Sequence, residues 1–130
     1  MFKRTAVICL ASVGLMFFAS AAQALTVKPF TDADFAAAQA AGKPVVIHFT
    51  ATWCPSCKAQ EKSLAALASD ASLKNVTILS SDYDKTKDLQ KKMNVKSQST
   101  MVVFKGKTEV VRSSGAIDAP DIKTLLAKAL

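Results

Sequence analysis

The sequence predicts an α/β domain, a central mixed β-sheet flanked by helices on both faces. Three observations carry this. Residues 45–50 and 76–79 are continuous apolar, largely β-branched runs, the character of strands covered on both sides. Segments with helical spacing alternate with them, as parallel crossovers require. Two short strands near the C-terminus, 100–104 and 109–112, join through Lys105-Gly106-Lys107 and read as an antiparallel hairpin. In such a sheet the chemistry belongs at the C-terminal end of a central strand.

The chain opens on the pattern of a secretory signal. Lys3 and Arg4 form a basic start, residues 5–19 are uncharged and mostly apolar, and Ala22-Gln23-Ala24 supplies a small-residue cleavage site. The apolar stretch is nearly long enough to be a membrane anchor, but the cleavage site and the polar Gln23 favour removal of residues 1–24. That leaves one domain, 25–130. Cys9 leaves with the signal, so the mature chain keeps Cys54 and Cys57. Export implies an oxidising compartment, the periplasm.

Within the domain, Leu25-Thr26-Val27 suits a short edge strand. Thr31 is placed as a helix N-cap with Asp34 at the third helical position, and Phe30 and Phe35 as a hydrophobic staple. This Ala-rich helix runs to about Ala41 and stops at Gly42, ahead of Pro44. After the strand at 45–50, Pro55 suits the first turn of a second helix, whose buried stripe is read as Leu64 and Leu67 with Ala65 and Ala68. The strand at 76–79 leads to an amphipathic helix over 85–93, carried by Leu89 and Met93. After the hairpin, Asp118 and Asp121 cap the last helix, which turns Ile122, Leu125, Leu126 and Ala129 inward.

The segment Trp53-Cys54-Pro55-Ser56-Cys57-Lys58 stands where the central strand hands over to a helix. Two cysteines at this spacing can close a small Cys54–Cys57 disulfide ring. Free backbone N–H groups at the helix start favour thiolate over thiol on the first of them. A structural zinc site is disfavoured, since it needs four ligands and the mature chain adds only His48. Stability is a poor reason for so short a loop. Thiol–disulfide exchange is the better one.

Phe49 to Lys58 reads Phe-x-Ala-x-Trp-Cys-x-x-Cys-Lys, and Ser99-Thr100-Met101-Val102-Val103-Phe104-Lys105 precedes Gly106 and, later, Gly115. These stretches resemble the thioredoxin family over essentially the whole mature chain. The resemblance implies a thioredoxin-like fold, with Cys54 as an exposed nucleophile and Cys57 as the buried resolving thiol. It makes Trp53 an apolar cover of the pair, and Trp53, Pro55, Gln98, Ser99 and Thr100 the surface that meets substrate. Three departures stand out. The dipeptide between the cysteines is Pro55-Ser56, where thioredoxins have Gly-Pro. His48 replaces the family's buried Asp beneath the resolving cysteine, either as a base toward Cys57 or as a core histidine. Ser99 stands where the family has a cis-proline; a cis bond costs about 2.5–4 kcal/mol without proline, so a trans Gln98–Ser99 bond is expected, with the Ser99 hydroxyl facing Cys54.

The expected activity is that of an exported thiol–disulfide reductase acting on disulfides of periplasmic proteins. A disulfide oxidase or isomerase, or a Cu(I)-binding module on the same cysteines, are the alternatives. The reductase needs no cofactor and no metal. Its expected partners are protein thiols and disulfides and a membrane-embedded electron donor, and the chain is expected to be a monomer. The formal charge of +7 loses two with Lys3 and Arg4, and no basic run interleaves with aromatics, so nucleic acid is not an expected partner. Lys85, Lys87, Lys91 and Lys92 lie among Asp84 and Asp88 and read as a solvated face.

Overall fold

The structure, a computed structural model, describes residues 25–130. The segment read as a signal lies outside the described residues. The elements follow as β1 (Leu25–Pro29), α1 (Asp32–Ala40), β2 (Pro44–Thr50), α2 (Pro55–Ala66), a 3-10 turn (Ala71–Leu73), β3 (Val76–Asp82), α3 (Lys87–Met93), β4 (Thr100–Lys105), β5 (Thr108–Ser113) and α4 (Ala119–Ala127). The sheet order is β1-β3-β2-β4-β5. β1 and β2 run parallel to β3, while β4 pairs antiparallel with β2 and β5 with β4.

Strand alternation sorts β2 between two cores. Val45, Ile47 and Phe49 join Phe35 of α1 and Val102 and Phe104 of β4, with Leu89 and Met93 of α3 against them. Val46 joins Leu64, Ile122, Leu125 and Leu126 on the face covered by α2 and α4. His48 follows Val46 by two residues and belongs to that second face. A sheet buried on both sides is why β2 reads as one unbroken apolar run, and why a histidine inside it must find its partner in the interior.

The caps agree with the residues that set them. The Thr31 hydroxyl accepts from the Asp34 N–H at 3.0 Å, and the Phe30 and Phe35 rings lie 6.0 Å apart as the staple requires. Three details differ from the sequence reading. The helix expected from Lys85 starts at Lys87, because the N–H groups of Lys85 and Thr86 close a turn onto the Asp82 carbonyl. Asp118 occupies the N-cap of α4 without a side-chain capping bond. Ala65 and Ala68 face solvent. Leu64 and, at the C-cap, Leu67 are buried as expected, and Cys57 and Gln60 join them in a stripe at spacings of three and four that a polar residue enters.

Candidate active site

β2 ends at Thr50, and a tight turn, closed by the Cys54 N–H on the Ala51 carbonyl at 3.2 Å, delivers the chain to α2. Pro55 takes the first helical position, where its missing N–H costs nothing. Cys54 is therefore the N-cap residue, and its sulfur does what a serine or aspartate oxygen does elsewhere. It accepts from the Cys57 N–H at 3.2 Å. The loop before β4 brings Ser99 against it. The Ser99 hydroxyl lies 3.2 Å from the Cys54 sulfur, 3.2 Å from the Cys57 sulfur and 2.6 Å from the Ser56 hydroxyl. Ser56 is itself 3.3 Å from the Cys54 sulfur.

Both cysteines are free thiols and both are covered, Cys54 at 1% exposure and Cys57 at 0%. The expectation of an exposed Cys54 is thus corrected: its sulfur turns inward to cap α2 and meet the two hydroxyls. Burial alone would raise its pKa. Hydrogen bonds from the Cys57 thiol, Ser56, Ser99 and the Cys57 N–H outweigh that, and hold Cys54 at about 7, below the ordinary thiol value. The backbone at this point matches the expectation for a position without proline. No cis peptide occurs among the described residues, so Gln98–Ser99 is trans, and Ser99 takes φ +59°, in the left-handed region.

His48 is wholly buried, and its bond goes to Gln60 rather than to a cysteine: Nε2 and Gln60 Oε1 are 2.9 Å apart. Gln60 donates from Nε2 to the carbonyls of Ser99 at 2.9 Å and Ala116 at 2.8 Å. Those two donor bonds orient the amide, so His48 donates from Nε2, while its Nδ1 has no hydrogen-bond partner in the protein. Burial lowers the His48 pKa; the Gln60 bond and the charge of Glu61 act the other way without restoring it.

Trp53 is 57% exposed and not part of the core. Its indole N–H donates to Asp84, beyond the end of β3, at 2.7 Å, which ties the ring to that loop. Pro55 and Lys58 are exposed, and Gln98 is half-buried. Thr100 is buried and its hydroxyl is engaged internally, donating to the Ser97 carbonyl at 2.8 Å and meeting the Ser114 hydroxyl at 2.9 Å. Ser56, Gln60 and Asp84 join the site through contacts that the sequence does not assign. For Gln60 a signal existed, since it stands three residues after Cys57 on the stripe that includes Leu64. Among the described residues no three His, Cys, Asp or Glu side chains gather as a metal site.

The thioredoxin family profile matches residues 26–128. The chain belongs to the thioredoxin family. Its fold is the thioredoxin fold, and the family's chemistry is thiol–disulfide oxidoreduction. It is similar to a thioredoxin of Chlamydia trachomatis, 39% identical over 84 residues that cover 65% of this chain and 80% of that one. It is also similar to thioredoxin 2 of Plasmodium falciparum, 31% identical over 86 residues that cover 66% of this chain and 54% of that protein, about half its length. Among solved structures, the crystal structure of Trxlp from Edwardsiella tarda superposes with a TM-score of 0.74 at 33% identity, covering 78% of this chain and 98% of that one. In this member of the family Cys54 and Cys57 stand three positions apart, the first at the N-cap of α2 and the second in its first turn.

Proposed function

We propose that this thioredoxin is an exported disulfide reductase in which Cys54 attacks and Cys57 resolves. The observation that carries the reading is the Cys54 sulfur at the N-cap of α2, accepting from a backbone N–H and meeting two hydroxyls. These bonds favour thiolate, the nucleophilic form. The Cys54 thiolate attacks one sulfur of a substrate disulfide; that bond breaks, a mixed disulfide forms, and the other substrate sulfur leaves as a thiolate that takes a proton. Cys57 loses its proton and attacks the Cys54 sulfur, closing the Cys54–Cys57 disulfide and releasing the second substrate thiolate. Two electrons have then passed to the substrate.

His48 Nδ1, neutral and without a hydrogen-bond partner, is the base proposed for the Cys57 proton. Trp53 and Pro55 give an exposed apolar rim, with Gln98 and the Ser99 backbone as the polar part of the substrate surface. Residues 1–24 direct export, and a membrane-embedded electron donor returns the pair to the dithiol in an oxidising periplasm. The protein works as a monomer.

Insulin reduction and gel trapping test the assignment. Cys57→Ser is expected to accumulate mixed disulfides through Cys54, and Cys54→Ser to accumulate few or none, with insulin reduction lost in both. Equal trapping by the two variants on non-reducing gels would sink the division of roles.

A further inference from the structure

Gln60 is the only fully buried side-chain amide among the described residues, and every part of it is committed. Its Nε2 holds the carbonyls of Ser99 and Ala116, and its Oε1 accepts from His48. It thus ties α2 to β2 and to the loops on either side of the β4–β5 hairpin, 12, 39 and 56 residues away in sequence. The Ser99 bond has a particular consequence. A non-glycine residue in the left-handed region is strained and persists only where its surroundings fix it. At Ser99 that conformation sends the hydroxyl to both sulfurs while the carbonyl goes to Gln60.

We propose that Gln60 is the positioning residue of the cysteine pair: its carboxamide holds Ser99 in the conformation that aims the hydroxyl at Cys54 and Cys57. Gln60 acts through Ser99 and touches neither sulfur. The proposal deepens the reductase reading by naming what sets the reactivity of its nucleophile. The ionisable groups of this network are Cys54 and Cys57 against Ser99 and His48 against Gln60; Lys58 and Glu61 neighbour them on α2, and Asp84 holds the Trp53 indole. Gln60→Met preserves length and alters none of these charges.

A double-mutant cycle on the Cys54 titration, followed as thiolate absorbance at 240 nm in the reduced protein, tests it. Ser99→Ala is expected to raise the Cys54 midpoint by about one pH unit, the loss of one hydrogen bond to a charged sulfur. Gln60→Met is expected to raise it by a similar amount in the native background and by little in the Ser99→Ala background. Equal effects in both backgrounds, or none in either, would overturn the proposal. If Gln60→Met does not fold, the nitrogen chemical shifts of His48 in the unaltered protein decide. A protonated Nε2 with a bare Nδ1 is expected; a protonated Nδ1 would mean the amide is turned the other way, with its oxygen against the Ser99 carbonyl, and would overturn the proposal. Neither readout depends on turnover, so a protein inactive on insulin would refute the reductase reading and leave the role of Gln60 to be judged separately.

Discussion

At His48 the two ring nitrogens have different fates. Nε2 is spent on Gln60, and Nδ1 keeps a buried lone pair. Burial lowers the pKa of the imidazole from its ordinary value and so favours the neutral form, which keeps that lone pair. His48→Ala is expected to slow resolution of the mixed disulfide by about 10²-fold, the low end of general-base contributions, with the first attack by Cys54 unchanged. Stopped-flow measurement of the two phases checks this, and a loss of stability with both phases intact would assign His48 a packing role. The linkage has a definite sign. The unfolded chain takes up a proton at its ordinary histidine pKa while the folded chain does not, so stability is full above that value and declines as pH falls through it.

At the level of elements, the hydrophobic pattern made most of the fold legible. The unbroken run of β2, the Thr31 cap with its Phe30 and Phe35 staple, and the inward stripe of α4 are local in sequence, and each appears as read. The site was legible only where its logic is local, as for Cys54 at a helix start followed by Pro55. Gln60, Ser56 and Asp84 gain their roles from partners 12 to 56 residues away, and no periodicity records which distant carbonyl or indole a side chain will meet. Leu64 and Leu67 are buried as read, whereas the sequence pattern assigns Ala65 and Ala68 inward because Gln60, which fills the rest of that face, carries no hydrophobic signal.

The hairpin between β4 and β5 supplies a test of an element. Gly106 has φ +57°, its N–H bonds the Lys43 carbonyl at 3.1 Å, and an added Cβ would sit 3.3 Å from the Gly42 Cα. Gly106→Ala is expected to cost about 1–2 kcal/mol from the left-handed backbone alone, with the close approach adding to it. A thermal melt should show a midpoint lower by about 4–8 °C for each kcal/mol. Insulin reduction at 25 °C should be retained, since the turn lies at the opposite end of β4 from Ser99.

For the molecule as a whole, the claim that matters is the direction in which electrons flow. A dithiol poised to reduce has a nucleophile of nearly neutral pKa, about 7 in thioredoxin, whereas the strong oxidase DsbA has one near about 3.5, whose stabilised thiolate makes its disulfide oxidising. Cys54 stands at about 7. No histidine lies between the cysteines, and the donors to its sulfur are two neutral hydroxyls, a thiol and one backbone N–H. Nothing in that set stabilises a thiolate as strongly as a neighbouring positive charge would. The reduction potential of the Cys54–Cys57 couple, from equilibration against glutathione or a thioredoxin of known potential, tests this most directly. A reductase requires a value near thioredoxin's, about −270 mV. A value at or above about −180 mV, the range of isomerases and oxidases, would contradict it.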